Sequence, residues 1–381
     1  MSKDRTARAA SRVEGEAELL ERVTSDGFSL GPVTFTREQV ATPRGQVDVL
    51  VAHLDRTKLE RRFVFEYQVA WTRKSCMEAV ERLRRAGGRK LLPMLLTPYL
   101  SPELLDELVA ERISAIDACG NGLLADPPAL FILRTGAKKP KQHKQPSSPT
   151  RLAIYESSNV ATLVPRIFLS QRVFPTTTAV LDACHARMMT LGAAPTPLTL
   201  STVSKALRQL DEDLVTDRRG RERHLRDPER LLQHLQRGFR LPSTPPLLLK
   251  SKLTVAKMWT QLQASRPQLR FVATGRQSAI RHIGLAGPDR LQLYVSDASL
   301  AQQALEAKPT QAFPNLELIE TGDEAPYFDS REHDRGVWSS PLQCYLELAR
   351  IQADPRERDV AEKLRAKLID AVRTQPVGKP P

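Results

Sequence analysis

The chain has 381 residues and a formal net charge of +13, which predicts two or three domains of roughly 150 residues and a polyanionic partner, nucleic acid before membrane. No run approaches the roughly 18 apolar residues of a membrane helix, and the N-terminus lacks an apolar signal core, so we expect a soluble cytoplasmic protein with no membrane partner. The four cysteines are widely spaced, which argues against a disulfide framework and against a cysteine-ligated zinc site.

Two polar, proline-containing segments divide the chain. The segment TGAKKPKQHKQPSSPT combines Lys, Gln, Pro and Ser with almost no apolar side chains, and it predicts a flexible basic linker. The segment RLPSTPPLLLKSK places three prolines between helical-looking stretches. We therefore predict a first domain over residues 1–135, the linker over 136–150, a second domain over 151–245 and a third domain over 250–375.

The first domain is predicted to be an α/β layer with a mixed sheet. It begins with a helix, for which Ser11 and Glu14 have capping-box spacing and Gly27 lies just beyond the end. The segments VTFTREQVAT, GQVDVLVAHL and RRFVFEYQVAW predict strands, followed by a helix in SCMEAVERLRRAG, a buried strand in KLLPMLLTPYL, a helix in SPELLDELVAER and a strand-turn segment in ISAIDACGNGLLAD. We interpret Asp117, in that last segment, as a residue that stabilises a turn.

Two acidic residues interrupt apolar strands of this domain. Asp48 lies in QVDVLVA and Glu66 lies in FVFEYQVA, on strands joined by a short polar connection. If those strands pair, both carboxylates reach the same sheet edge, where a divalent cation would relieve their repulsion and activate water for phosphodiester attack. The alternative for Glu66 is an ion pair with a nearby arginine, such as Arg73 or Arg84.

The order of a helix, an Asp-bearing strand, a Glu-x-Gln strand and a helix resembles the PD-(D/E)XK restriction-endonuclease-like fold. The resemblance implies that Asp48, Glu66 and Gln68 are catalytic and that the first two bind a Mg²⁺ cofactor. Glu14 or Glu18 would add an acid from the helix. Gln68 stands where the family usually has a lysine, and an amide hydrogen-bonds the attacking water without supplying a positive charge. The resemblance therefore implies either a nuclease or a scaffold that has lost activity, and the third alternative is a different fold.

The second domain contains an amphipathic helix followed by an arginine-rich hairpin. In LTLSTVSKALRQLDEDLV one stripe is apolar, formed by Val203, Leu207, Leu210 and Leu214. Hydroxyl and basic side chains occupy the other positions: Ser201, Thr202, Ser204, Lys205 and Arg208. The segment DRRGRERHLRD then places four arginines around Gly220, namely Arg218, Arg219, Arg221 and Arg223. These residue types suit contacts to phosphates and base edges, so all nine are candidate DNA-binding residues.

This combination resembles winged helix-turn-helix domains, with LSTVSKAL as the recognition helix and the arginine hairpin as the wing. The resemblance implies that the helix enters the major groove of double-stranded DNA and that the wing lies along the backbone. His224 is expected at the surface of the wing. The alternative is a helical connector whose charges are merely solvated.

Strands and helices alternate in the third domain, which predicts a second α/β domain. Gly275 and Ser278 resemble the Gly/Ser turn of nucleotidyltransferase-like folds, but no paired acids follow them at a suitable spacing. The segments FVATGRQSAIRH, LQLYVSD, NLELIETGD and SPLQCYLELARIQADPRERDVAEKLR resemble the C-terminal domain of AbiEi-type antitoxins of type IV toxin-antitoxin systems. That resemblance covers the second and third domains.

The antitoxin resemblance implies a cytoplasmic, DNA-binding transcriptional regulator of a toxin-antitoxin or phage-defence locus. Its partner would be a nucleotidyltransferase-like toxin, which the C-terminal part counteracts. Two functions stay open from the sequence. One is this non-catalytic regulator, and the other is a Mg²⁺-dependent DNA endonuclease that the winged helix targets to its substrate.

Overall fold

The computed structural model of the protein divides the chain into two compact units, residues 1–150 and 151–381. The described residues are 14–25, 28, 30–42, 45–54, 59–68, 72–88, 90–100, 102–136, 153–189, 198–284, 290–350 and 355–375. Ser11, Gly27 and nearly all of the predicted linker lie outside these ranges. Helices and mixed sheets occur in both units, which confirms a multidomain α/β protein. None of the helices within the described ranges has the length and apolar character needed to cross a membrane.

One seven-stranded sheet with helices on both faces forms the described part of the first unit. Its strands are β1 (Val33–Thr42), β2 (Gly45–Leu54), β3 (Glu60–Tyr67), β4 (Leu92–Thr97), β5 (Ser114–Asp117), β6 (Gly122–Asp126) and β7 (Leu130–Arg134). Its helices are α1 (residues 14–23), α2 (Arg73–Gly87) and α3 (Pro102–Glu111). The strands follow chain order across the sheet, with β3, β4 and β5 parallel and the other neighbours antiparallel.

Alternating side chains along the central strands divide the core of the first unit into two layers. Phe63 and Tyr67 pack with Leu19 of α1 on one face of the sheet. Val64, between them in sequence, packs with Val80 of α2 on the other face. Because helices cover both faces, the central strands are apolar on both sides and lack the polar face of a half-exposed sheet.

The described part of the second unit contains a three-stranded sheet and another seven-stranded sheet. Its helices are α4 (Leu163–Phe168), α5 (Thr177–His185), α6 (Leu200–Glu212), α7 (Pro228–Gly238), α8 (Val255–Ala264), α9 (Gly275–Ile283), α10 (Ala298–Ala304), α11 (Pro341–Leu348) and α12 (Pro355–Arg373), with a 3-10 helix over Val160–Thr162. Strands β8 (Val173–Phe174), β9 (Thr216–Arg219) and β10 (Glu222–Leu225) form the small sheet, in the order β8-β10-β9.

The larger sheet of the second unit has the strand order β14-β11-β15-β13-β12-β17-β16. Its strands are β11 (Leu247–Lys250), β12 (Phe271–Ala273), β13 (Leu291–Val295), β14 (Lys308–Pro309), β15 (Leu316–Glu320), β16 (Arg331–His333) and β17 (Gly336–Trp338). β13 runs parallel to β15 and β12 runs parallel to β17, whereas the other neighbours are antiparallel. The predicted alternation of strands and helices after the proline-rich stretch is therefore confirmed.

A single hydrophobic core joins the segments on either side of the proline-rich stretch. Phe168 of α4 and Leu207 of α6 belong to the same buried cluster as Tyr345 of α11 and Leu364 of α12. A second cluster fills the space between the larger sheet and helices α8 and α10. The two segments that the sequence divides into separate domains thus form one compact unit.

Candidate nucleic-acid interface

Helix α6 begins where a threonine caps its first turn and buries one face in the core. Thr199 Oγ1 accepts a hydrogen bond from the backbone N–H of Thr202 at 3.3 Å. The buried apolar side chains are Val203, Ala206, Leu207 and Leu210. Leu214, the predicted end of this stripe, lies beyond the helix with a φ of 57°, and Val215 is buried after it.

The opposite face of α6 presents hydroxyl and basic side chains to solvent. Ser201, Ser204, Lys205 and Arg208 are exposed, and Thr202 is half-buried. Within the described residues, neither the ammonium of Lys205 nor the guanidinium of Arg208 has a carboxylate partner. Their charges are therefore available to a ligand.

The predicted arginine hairpin is present as strands β9 and β10. Its turn begins at Gly220, whose φ of 63° suits a residue without a Cβ. Arg218, Arg219 and Arg221 are exposed around that turn. Arg218 Nε donates to the Gly220 carbonyl at 2.8 Å, and Arg219 Nη2 lies 3.3 Å from Asp217 Oδ2. We call these three arginines, together with the five residues of the exposed α6 face, the α6–hairpin surface.

Arg223 does not join this surface. Its side chain is only 16% exposed, and its guanidinium pairs with the carboxylate of Asp211 at the end of α6. The other carboxylate oxygen of Asp211 accepts a hydrogen bond from Thr216 Oγ1 at 2.7 Å. Asp211 thus connects both strands of the hairpin to α6. Arg223, which the sequence predicts to contact DNA, instead holds the hairpin in position.

The sequence analysis expects His224 at the surface of the hairpin, and this expectation is wrong. Its side chain is buried, and its Nε2 lies 2.8 Å from Glu222 Oε2. His224 pairs across the hairpin with Asp217. The residue therefore belongs to the packing of the small sheet.

Sequence reasoning missed a basic groove at the base of the hairpin. The groove, of about 450 Å³, is lined by Arg172, Arg226, Arg230 and Arg373 together with two acids. Arg230 lies 3.5 Å from Asp227, and Arg373 lies 2.7 Å from Glu229. Arg226, the last arginine of DRRGRERHLRD, is exposed, and no described carboxylate pairs with it. The position of Arg226 directly after the arginine-rich hairpin was the sequence signal that could have identified this groove.

The strands that carry Asp48 and Glu66 do pair, but their register separates the two carboxylates. Val49 pairs with Val64, so Glu66 lies on the face of these two valines whereas Asp48 lies on the opposite face with Leu50. One metal ion cannot be bound from both faces of a sheet. The predicted shared metal site is therefore incompatible with this register, and the described residues contain no cluster of three or more metal-ligating side chains.

Glu66 is held by an arginine of α2. Arg82 donates to it from Nε at 3.1 Å and from Nη2 at 2.7 Å, and Gln68 Nε2 donates at 2.7 Å. The alternative of an ion pair for Glu66 is thus confirmed, although the partner differs from the candidates named from the sequence. Arg73 pairs with acids of α3, and Arg84 pairs within α2.

Asp48 has its own arginine partner on the neighbouring strand. Arg37 Nη2 on β1 donates to Asp48 Oδ2 at 2.7 Å, and this hydrogen bond lowers the pKa of Asp48. Glu14 and Glu18 are exposed on α1, which packs on the face of the sheet opposite to Glu66. The predicted catalytic residues are therefore distributed over two faces.

The interpretation of Asp117 as a turn-stabilising residue is confirmed. Its carboxylate is fully buried and accepts hydrogen bonds from the backbone N–H groups of Leu100, Cys119 and Asn121 at 2.8–2.9 Å. The side-chain amide of Asn121 donates a fourth at 2.7 Å. Cys119 and Asn121 lie in the turn after β5, and Leu100 lies in the connection between β4 and α3. The carboxylate therefore stabilises both of these connections.

The turn at Gly275, which the sequence analysis compares with a nucleotidyltransferase motif, is occupied by a carboxylate of the protein itself. Glu347 is buried there and accepts hydrogen bonds from Thr274 Oγ1 at 2.7 Å, from the Gly275 N–H at 3.1 Å and from Gln343 Nε2 at 2.8 Å. Gln343 Oε1 in turn accepts a hydrogen bond from buried Arg166 at 2.8 Å. Burial raises the pKa of Glu347 and lowers that of Arg166 to about 10.

The α6–hairpin surface is the part of the described chain where the predicted site residues come together. No protein-family model, curated protein or solved structure matches the chain. The functional argument therefore depends on the geometry and charge of this surface.

Proposed function

We propose that the second unit binds double-stranded DNA through a winged helix-turn-helix module formed by α4 to α6 and β8 to β10. The elements follow the order helix, strand, helix, helix, strand, strand, and β10 lies between β8 and β9 in the sheet. In this arrangement α6 is the recognition helix and the β9–β10 hairpin is the wing. The observation that carries the proposal is the exposed basic charge of the α6–hairpin surface, most of which has no carboxylate partner among the described residues.

The two parts of the surface have different chemical tasks in this proposal. Lys205 and Arg208 project from the recognition helix, where cationic donors reach base edges in the major groove. Arg218, Arg219 and Arg221 at the wing tip neutralise backbone phosphates and supply affinity that does not depend on sequence. The net charge of +13 adds long-range attraction to the same partner.

We propose further that the protein is a non-catalytic transcriptional regulator. The resemblance of the second unit to AbiEi-type antitoxins supports this role, with a nucleotidyltransferase-like toxin as the protein partner. The nuclease alternative is not proposed, since Asp48 and Glu66 lie on opposite faces of the sheet and each is bound by an arginine.

Sequence selection by α6 is tested by measuring the affinity of the full chain for a duplex chosen from random DNA and for an unrelated duplex. Lys205→Ala or Arg208→Ala should cost about 1–3 kcal/mol on the chosen duplex if the side chain contacts a base, and less on the unrelated one. Lys257→Ala, at an exposed position of α8, is the matched control and should leave both affinities unchanged. Equal losses on both duplexes would remove the base-reading role, and absence of duplex binding by the natural chain would contradict the proposal.

A further inference from the structure

A second basic groove lies where helices α7 and α11 end. It is an open groove of about 770 Å³, a volume typical of small-molecule sites. Three arginines line it, Arg237 and Arg240 from the end of α7 and Arg350 from the end of α11. The groove is separate from the α6–hairpin surface, with which it shares no residue.

Two of these arginines are held in place by the helix ends. Arg240 Nη1 donates to the carbonyls of Arg237 and Phe239, both at 2.8 Å. Arg350 Nε donates to the carbonyl of Glu347 at 2.7 Å. Cations are stable at these positions because helix C-termini carry partial negative charge. The remaining N–H groups of both guanidinium groups have no other acceptor within the described residues, so they are free to bind a ligand.

A glutamine fixes the distance between the two helix ends. Gln236 Nε2 of α7 donates to the Ala349 carbonyl at 2.9 Å, and its Oε1 accepts from Tyr345 Oη at 2.9 Å. Both functional atoms of this amide are therefore engaged between α7 and the end of α11. The arginines that project from these two ends are preorganised relative to each other, which lowers the entropic cost of binding.

Side chains of the described residues do not balance the charge of the groove. None of its described lining residues is acidic, and no described carboxylate pairs with Arg237, Arg240 or Arg350. The groove at the base of the hairpin differs, since Asp227 and Glu229 lie among its arginines. Three guanidinium groups without a carboxylate partner in the described chain favour a ligand with more than one negative charge.

The rest of the lining favours an organic phosphate over a bare anion. Ala349 and the 8% of Phe239 that is exposed give the groove apolar surface, and Gln233 adds an exposed amide. The planar fork of arginine binds phosphate oxygens in pairs, and apolar surface with an amide suits a heterocyclic ring. A concave groove of this size accommodates a small molecule better than the convex backbone of a duplex.

We propose that this groove binds a nucleoside di- or triphosphate, with the phosphates on Arg240 and Arg350 and the base against Phe239 and Gln233. This inference goes beyond DNA binding. It is tested by calorimetric titration of the full chain with ATP, GTP and pyrophosphate, in EDTA and at constant ionic strength. At least one nucleotide should bind more tightly than pyrophosphate does.

Substitutions distinguish binding in this groove from nonspecific attraction of nucleotides to a basic protein. Arg350→Ala should weaken nucleotide binding by about tenfold or more, the equivalent of one lost charge-assisted contact. Arg237→Ala should weaken nucleotide binding less. Because the Arg237 side chain makes no hydrogen bond or ion pair within the described chain, this variant tests the site even if Arg350→Ala unfolds. Arg276→Ala, at an exposed arginine of α9 outside the groove, should leave nucleotide binding unchanged.

Two outcomes would overturn the inference. One is absence of nucleotide binding by the natural chain, and the other is equal weakening by Arg237→Ala and the Arg276→Ala control. If the first outcome is accompanied by loss of duplex DNA binding in the groove variants, the groove is part of a DNA surface. Loss of nucleotide binding by the groove variants with unchanged DNA binding supports the inference. This result does not depend on whether the α6–hairpin surface binds DNA.

Discussion

Glu66 shows how an acid in an apolar strand is accommodated without a metal. Its carboxylate faces α2, where two N–H groups of Arg82 and the amide of Gln68 satisfy it. The acid was visible in the sequence, but its partner was not, since Arg82 lies sixteen residues away on a helix whose docking the strand pattern does not specify. A one-residue change of register would have brought Asp48 to the same face.

Metal addition tests this account of Glu66. We expect Mg²⁺ and Mn²⁺ to leave the thermal unfolding of the full chain unchanged, because a ligand stabilises only through a site that the folded state offers. Glu66→Gln should give the same null response to metal and lose stability through the broken pair with Arg82. A rise in melting temperature with metal that disappears in Asp48→Ala would contradict the separation of the two carboxylates.

Glu347 is a second residue with a testable structural role. Glu347→Ala should destabilise the protein by about 3–5 kcal/mol, because it leaves Arg166 buried without an opposite charge and leaves the donors of Thr274, Gly275 and Gln343 without their acceptor. Asp359→Ala, at an exposed i,i+4 pair of α12, is the control and should change stability by about 0.5 kcal/mol or less. Urea denaturation measures both, and a similar small effect for the two variants would contradict the buried network.

At the scale of elements, the hairpin contains two kinds of arginine. Some are exposed for contact with DNA, and Arg223 holds the hairpin in position. Arg223→Ala should weaken duplex binding by loosening the hairpin, with little change in salt dependence, because its guanidinium is bound to Asp211. Arg221→Ala should instead lower the log-log salt slope by about 0.9, the value for one lost phosphate contact. If Arg223→Ala changes the slope as much as Arg221→Ala does, Arg223 contacts phosphate after all.

The strength of the ion pair between Asp211 and Arg223 is measured by a double-mutant cycle. Asp211→Ala and Arg223→Ala should couple by about 0.5–3 kcal/mol in unfolding free energy, as residues in direct contact do. Asp211→Ala with Arg221→Ala is the matched control cycle and should be additive. A coupling energy near zero for the first cycle would contradict the ion pair at the end of α6.

The elements that the sequence predicts well are those with their own periodicity. β1 and β2 match the predicted segments, and α6 and its hairpin follow from an apolar stripe and a glycine turn. Strands of two or three residues, such as β8 and β14, were missed because pairing partners alone define them. The partners of Asp48, Glu66 and Arg223 were also beyond prediction, since each depends on register or on docking between elements.

At the scale of the whole molecule, the unpredicted feature is the continuity of the second unit. The proline-rich stretch interrupts helical pattern and so indicates a domain boundary, yet α4 to α7 share one core with α9, α11 and α12. Long-range packing of this kind leaves no local signature in sequence. The net charge of +13, by contrast, is read directly from composition and agrees with the basic surfaces found on this unit.

The central claim is that the wing tip binds DNA phosphates, and the salt dependence of duplex binding tests it most directly. Fluorescence anisotropy of a labelled duplex should be measured over a series of salt concentrations for the natural chain and for a triple variant with Arg218, Arg219 and Arg221 changed to Ala. The account predicts weaker binding and a log-log slope shallower by about 2.7, the value for three lost phosphate contacts. An unchanged affinity and an unchanged slope would contradict it.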